Sequence, residues 1–174
     1  THTECVGHIS KEFYSINQYL KEFHFFGTLI SVNTTEVENE SDKMMDQIVT
    51  KKDLEIAIDG LENEIHQSQA LIIRTLPNGN EKLTKNYSNT NPPYYSTEAI
   101  EFINQLGIDH LMVDLPSIDR EIDGGKLLGH HLFWNYPENP LLHKTITELI
   151  YVPDAVKNGR YLLNIQITSL ENDA

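Results

Sequence analysis

The chain has 174 residues, and 26 acidic against 13 basic side chains give it a formal net charge of −13. This length allows one domain with a sizeable core. So acidic a balance argues against binding to nucleic acid, which needs a basic face, and against docking on anionic lipid. No apolar stretch approaches the roughly 20 residues of a membrane span. A single cysteine, Cys5, excludes an internal disulfide framework and a cysteine-only zinc site.

The first third of the chain alternates between helical and extended patterns. Apolar residues recur at three- and four-residue steps over Ser10–Phe23, which predicts a helix. The aromatic and β-branched segment Phe25–Val32 predicts a strand. Asn33–Val49 is acidic and polar, and we expect a surface loop or a short, weak helix there. Thr50 and Asp53 have the spacing of a capping box and predict the start of a better helix.

The middle of the chain predicts two buried strands on either side of a long loop and a helix. Ala70–Arg74 is a short apolar run typical of a buried strand. Leu76–Tyr95 contains three prolines and several turn residues, and a loop of this length is often functional. Ser96 caps a helix that Gly107 ends, and His110–Asp114 is the next strand.

The last third predicts a short helix over Lys126–Trp134 and strands over Thr145–Val152 and Arg160–Thr168. Strand–helix–strand units are therefore mixed with strands that lack an intervening helix. This order favours a single α/β domain with a mixed sheet.

Three side chains of metal-binding type stand close together at the start of the chain: His2, Glu4 and His8. In an extended segment alternate residues share one face, so these side chains would project into the same space. Imidazole and carboxylate groups are ligands that zinc and manganese accept. Spacing alone leaves open a polar edge strand or an N-terminal tail. Cys5 alternates onto the other face, and we expect it to be a small buried residue.

A second group of candidates lies far along the chain, at His130, His131 and Glu148. Adjacent histidines cannot both face one site on a regular element, so at most one is expected to be a ligand. Glu148 interrupts an apolar segment, and a buried lone carboxylate is costly without a partner such as a metal. The alternative is an exposed glutamate on an edge strand. His143 is a weaker candidate to replace His130. The other histidines are expected to be structural or at the surface: His24, His66 and His110.

The first eight residues, Thr-His-Thr-Glu-Cys-Val-Gly-His, resemble the metal motif of the cyclase-like metal-dependent hydrolases, the family of bacterial kynurenine formamidase. That motif reads His-x-Gly-Thr-His-x-Asp-x-Pro-x-His. His2 matches its internal histidine and His8 its final one, while Glu4 takes the place of the aspartate and Val6 that of the proline. The first motif histidine would lie upstream of Thr1, so we expect the chain to lack its N-terminal portion.

Three further segments agree with the same family in order. Asn91–Ala99 is similar to its proline-containing loop that enters a helix, and Leu106–Asp119 to its Gly-Ile-Asp and Val-Asp-x-x-Ser-Ile-Asp stretch. His130 and Glu148 are similar to its distal His–Glu pair. The interval between them is longer than in the family, which implies an insertion around Asn135–Lys144.

The resemblance implies one domain over residues 1–174 with a swivelling β/β/α fold, a mixed sheet and flanking helices, usually as a homodimer. It also implies that His2, Glu4, His130 and Glu148 bind one or two zinc ions, or manganese as in some relatives. His8 would be the catalytic residue that moves protons beside the metal. The implied reaction is hydrolysis of the C–N bond of a small-molecule amide, most closely N-formylkynurenine to kynurenine and formate in tryptophan catabolism.

Two other functions stay open at this point. One is a related hydrolase that opens a cyclic amide, a cyclic imide or an isatin-like lactam. The other is a metal-binding scaffold without activity, which the replacements at Glu4 and Val6 favour. Phe133, Trp134 and Tyr136 are candidates to line an aromatic pocket, or else core or dimer contacts. We expect a cytoplasmic location, although one cysteine is also compatible with an oxidising compartment.

Overall fold

A computed structural model describes residues 1–174 as nine strands and five α-helices. The strands are β1 (His2–Glu4), β2 (His24–Val32), β3 (Thr35–Glu38), β4 (Met45–Val49), β5 (Ala70–Thr75), β6 (Tyr94–Tyr95), β7 (His110–Val113), β8 (Thr145–Glu148) and β9 (Gly159–Asn164). The helices are α1 (Ile16–Tyr19), α2 (Lys51–Ile58), α3 (Glu62–His66), α4 (Thr97–Gln105) and α5 (Leu128–Trp134). The α/β class with a mixed sheet and flanking helices is thus confirmed.

Six of the strands form the main sheet in the order β1-β8-β7-β5-β2-β9. The four inner strands run parallel, whereas β1 and β9 pair antiparallel at the two edges. Every residue of β5 is buried, because parallel strands carry packed helices and loops on both faces. The predicted strands Phe25–Val32 and Ala70–Arg74 are confirmed within β2 and β5.

A second sheet has three strands in the order β3-β4-β6, of which β3 and β4 lie in the segment Asn33–Val49 and β6 at the end of the predicted loop Leu76–Tyr95. The prediction of a loop or weak helix over Asn33–Val49 is wrong. Strand β3 has no signal in the sequence, because all four of its residues are exposed and show no apolar alternation. Their order comes from antiparallel pairing with β4, which is a contact that composition does not reveal.

The two best-capped helices begin where the sequence predicts. The Thr50 hydroxyl accepts the amide of Asp53, and the Asp53 carboxylate accepts the amide of Thr50, so the capping box is complete. The Ser96 hydroxyl accepts the amide of Ala99 at the start of α4. Gly107, at a φ of +75°, follows the end of that helix.

The helix predicted over Ser10–Phe23 shortens to the four residues of α1. The Ser15 side chain makes no capping bond, and the amide of Ile16 instead donates to the carbonyl of Asn172. Phe13 is 68% exposed, so the apolar spacing there does not mark a helix face.

Two predicted strands are also longer than the observed ones. Thr145–Val152 stops at Glu148, because Leu149 adopts a left-handed φ of +53° that a strand does not accommodate. Arg160–Thr168 stops at Asn164, where the antiparallel pairing with β2 ends opposite His24. No helix has the length and apolar character needed to cross a bilayer.

Candidate metal centre

The edge strand β1 places two of the candidate ligands against a third. In the antiparallel pair of β1 and β8, His2 lies directly opposite Glu148, and Glu4 follows two residues later on the same face. The His2 Nε2 atom lies 3.5 Å from Glu4 Oε2 and 3.6 Å from Glu148 Oε2. The two acids are buried, whereas the His2 side chain is 42% exposed. The exposed-glutamate interpretation of Glu148 is therefore wrong.

His8 reaches the Glu4 carboxylate through a turn, and not through the strand alternation that its spacing suggests. The extended segment ends at Cys5, and Val6–His8 forms one turn of 3₁₀-helix. This turn brings His8 Nδ1 to 3.3 Å from Glu4 Oε2 and leaves the His8 side chain 39% exposed. Cys5 is buried as expected, and burial raises the pKa of its thiol.

Helix α5 supplies His130, and Asp119 holds it in place. The Asp119 carboxylate accepts the backbone amides of Gly129 and His130 at 2.7 and 3.1 Å, so it satisfies donors at the start of the helix. It also lies 2.6 Å from His130 Nδ1. A side chain at Gly129 would come within 2.9 Å of Asp119 Oδ1, and only glycine allows this close approach.

The other ring nitrogen of His130 faces both buried acids. Its Nε2 atom lies 3.0 Å from Glu4 Oε1 and 3.7 Å from Glu148 Oε1. Many metal-binding histidines are oriented in the same way, by a carboxylate on the ring nitrogen that does not bind the metal, and Asp119 has that position on His130. The neighbouring His131 turns away, and its Nδ1 atom lies 3.0 Å from the carbonyl oxygen of Tyr136. The structure thus brings His130, and not His131, to the cluster.

The charges in this cluster are strongly coupled. Burial raises the pKa of Glu148 to about 8, and the negative charge of Glu4 acts in the same direction. Burial lowers the pKa of His130, but hydrogen bonds to Asp119 and Glu4 outweigh it and raise the value to about 9. Burial likewise raises the pKa of Asp119, but the bonds from His130 and Gly129 outweigh it and hold the value below its usual range.

A divalent cation fits the donors that converge here. One ligand atom each from His2, Glu4 and Glu148 lie within 4.8 Å of one another, and the same holds for Glu4, His8 and His130. Glu4 belongs to both triads, and its Oε2 atom is buried without a hydrogen-bond partner. A buried carboxylate oxygen in that state costs free energy unless a cation or donor meets it. The nitrogen and oxygen donor set is one that zinc and manganese accept.

The remaining candidates lie elsewhere. His143 Nε2 is 3.2 Å from Asp109 and belongs to neither donor triad. His110 is buried against Thr145, and burial lowers its pKa to about 4. Phe133 and Trp134 are completely buried and belong to the core, so they line no pocket. Tyr136 bonds through its hydroxyl to Glu12.

Sequence reasoning did not assign a role to Asp119. The residue stands in the Ser-Ile-Asp stretch that resembles the family, and that stretch was the only signal available. Its neighbour Ile118 also matters, because the amide of Ile118 donates to Glu148 Oε1 at 3.2 Å. One loop therefore positions both members of the distal His–Glu pair.

The fold and the side-chain cluster can be compared with known proteins. The model of the family Cyclase, described as "Putative cyclase", matches residues 1–120. The chain belongs to this family. A comparison with curated proteins finds no match.

Solved structures share the fold at low sequence identity. A potential metal-dependent hydrolase with cyclase activity superposes with a TM-score of 0.60 at 14% identity, over 98% of this chain and 73% of the other. Isatin hydrolase A from Labrenzia aggregata, bound to benzyl benzoate, gives 0.60 at 16%, over 99% and 68%. An isatin hydrolase bound to the product analogue thioisatinate gives 0.57 at 18%, over 99% and 67%. The chain thus spans about two thirds to three quarters of these proteins.

Proposed function

We propose that the protein hydrolyses the C–N bond of an amide with the help of a divalent cation, most closely zinc. One observation carries this proposal: nitrogen and oxygen donors from distant parts of the chain converge on Glu4, whose buried Oε2 atom forms no hydrogen bond and faces ring nitrogens of His8 and His2 at 3.3 and 3.5 Å. His2, Glu4, His130 and Glu148 would hold the cation. Bound there, a divalent cation lowers the pKa of a water molecule towards 7 and polarises a carbonyl oxygen.

The protein's own side chains divide the remaining tasks. Asp119 fixes the ring of His130, and the Ile118 amide fixes Glu148, so the donors keep their positions without rearrangement. His8 is not among the four proposed ligands, and its side chain has access to solvent, since it is 39% exposed. It accepts a proton from the attacking water and returns it to the leaving nitrogen, which is the usual task of an imidazole near neutral pH.

An aryl formamide is the substrate type that we favour. Its acyl carbon is small enough to approach a half-buried cluster, and its arylamine leaving group accepts a proton from a single imidazole. N-formylkynurenine, which yields kynurenine and formate, is the first compound to test.

The experiment measures formate release from N-formylkynurenine together with the zinc content of the protein. We expect turnover that a chelator abolishes and that added zinc restores. His8→Asn should keep the zinc content and lower turnover by about 100-fold or more, because general acid–base catalysis contributes that much. His143→Asn is the matched control, since His143 is an exposed histidine outside the cluster. Turnover that is insensitive to the chelator contradicts the proposal.

A second substrate class is favoured by the structural comparison. Two of the similar structures are isatin hydrolases, so a lactam such as isatin belongs in the same substrate panel. Ring opening without formamide hydrolysis would select this class. Stoichiometric zinc with no turnover on any amide would instead select a metal-binding scaffold.

A further inference from the structure

The segment at residues 170–174 lies against the 3₁₀ turn that follows strand β1. The carbonyl oxygen of Asp173 accepts the amide of Cys5 at 2.9 Å, and Cys5 is the residue from which the turn begins. The carbonyl oxygen of Asn172 accepts the amide of Ile16, also at 2.9 Å. Main-chain bonds therefore hold this segment in place, and they do not depend on which side chain stands at position 173.

This packing places the Asp173 carboxylate beside the ring of His8. The Oδ2 atom of Asp173 lies 3.4 Å from His8 Nδ1, and His8 is the only ion-pair partner of Asp173. The Asp173 side chain is 32% exposed, so solvent screens the charge attraction and leaves it modest. The contact is therefore better suited to orienting the imidazole than to stabilising the fold.

Two carboxylates face the same ring nitrogen of His8, and they differ in their other contacts. Glu4 Oε2 lies 3.3 Å from His8 Nδ1, but Glu4 belongs to both donor triads, whereas Asp173 belongs to neither. In the proposed metal centre the charge of Glu4 is directed to the cation, so Asp173 is the acid that remains to accept the Nδ1 proton. The Nε2 atom of His8 has no ion-pair contact within the chain, and it is the ring nitrogen left to exchange a proton with water.

We propose that Asp173 is a positioning residue, which fixes the ring orientation and the tautomer of His8. This inference rests on the proposed hydrolase function, in which His8 moves the proton. A carboxylate that accepts the Nδ1 proton keeps the lone pair of the neutral imidazole on Nε2, where it takes the proton of the attacking water. The same carboxylate stabilises the protonated ring until Nε2 returns that proton to the leaving nitrogen.

The first experiment measures kinetics and zinc content with N-formylkynurenine, or with isatin if that compound is the one hydrolysed. Asp173→Asn keeps the main-chain bonds of the segment and should lower kcat by about 10-fold or more, because a misoriented imidazole loses part of its acid–base catalysis. KM should stay within about twofold and the zinc content should not change. Glu171→Gln is the matched control, since Glu171 is an exposed acid of the same segment without an ion pair.

A double variant tests whether Asp173 acts through His8. In the His8→Asn protein, the further change Asp173→Asn should leave turnover unaltered, because the group that Asp173 orients is already absent. A residue that merely supported the fold would lower turnover by the same factor in both backgrounds.

The second experiment observes the His8 ring without turnover. Long-range proton–nitrogen NMR correlation of the protein with added zinc reports which ring nitrogen is protonated, at an alkaline pH where an ordinary imidazole is neutral. The signal missing from His8→Asn assigns the ring. We expect the proton on Nδ1 in the wild type and in Glu171→Gln, and a mixture of both tautomers in Asp173→Asn.

An Asp173→Asn protein with the wild-type kcat, or with the wild-type tautomer of His8, overturns the inference. Equal losses of turnover with and without the His8 side chain also overturn it. If no amide is hydrolysed while the tautomer of His8 still depends on Asp173, the proposed function fails and the positioning of His8 stands.

Discussion

Two buried carboxylate clusters in this protein have opposite electrostatic characters. Asp46 accepts hydrogen bonds from Asn39, Asn91, Tyr94 and Arg120, so both of its oxygens are fully used. Burial raises the pKa of Asp46, but these bonds outweigh it and lower the value to about 2. Such an acid is stably charged inside the fold without any further partner.

The metal centre lacks this compensation. Glu148 accepts one backbone amide, and its pKa is raised to about 8, while one buried oxygen of Glu4 forms no hydrogen bond. His130 is the cationic side chain that lies between the two acids. The difference teaches that the Asp46 cluster is built for stability, whereas the Glu4 cluster has negative charge in excess of its protein partners and suits an added cation.

The largest expected effect comes from Glu4→Gln. The amide removes the charge that both donor triads share, so we expect zinc to be lost and turnover to fall by about 1,000-fold. The metal-free variant should also melt at a lower temperature than the metal-free wild type, because the buried charged bond between His130 and Glu4 is lost, while Glu148, with a pKa of about 8, carries little charge to repel near neutral pH. Elemental analysis and thermal denaturation measure both quantities. Glu12→Gln, an exposed acid nearby, should change neither. A Glu4→Gln protein with full zinc content contradicts the contrast between the clusters.

Asp46→Asn should have the reverse profile. One amide oxygen cannot satisfy the donors that converge on Asp46, and the amide hydrogens face other donors, so we expect a loss of about 3 kcal/mol of unfolding free energy. Zinc stoichiometry should stay unchanged. Asp42→Asn is the matched control, because Asp42 binds the same Arg120 from a 36% exposed position. It should cost less than about 1 kcal/mol in denaturant unfolding. Equal losses in the two variants would remove the special role of Asp46.

The pH dependence of stability tests whether the charge of Asp46 stabilises the fold. The folded pKa of Asp46 lies at about 2, below the ordinary value of 3.8. A depressed folded pKa contributes stability above the unfolded value, and this contribution disappears as the pH falls through the folded value. The difference in unfolding free energy between wild type and Asp46→Asn should therefore shrink by about 2 kcal/mol between pH 4 and pH 2. Denaturant titrations at several pH values measure it, and a constant difference would show that the charge of Asp46 does not matter.

Local chemistry explains what the sequence could predict. The capping box of Thr50 and Asp53 uses residues three apart, so its spacing is visible without a structure. Glu148 signalled a partner because a carboxylate in an apolar strand needs one, and the structure brings it into one donor triad with His2 and Glu4. The order of several such motifs along the chain then predicted that the first residues and the distal His–Glu pair lie together, as a shared metal site requires.

Tertiary contacts explain what the sequence could not predict. His8 reaches Glu4 through a 3₁₀ turn and not through strand alternation, because the chain leaves the sheet after Glu4. The exposed strand β3 has no apolar periodicity, and its order depends on its partner.

The smallest expected effect tests how one loop positions the metal centre. Asp119→Asn keeps a side chain that can still cap helix α5 but weakens the charged bond to His130 Nδ1. We expect zinc affinity to fall by about 10- to 100-fold, as is typical when the carboxylate behind a metal-binding histidine is replaced. Competition with a chromophoric chelator measures this affinity. Asp123→Asn is the matched control, since Asp123 accepts backbone amides in the same loop without contacting His130. If both variants bind zinc as tightly as the wild type, His130 does not depend on Asp119 for its position.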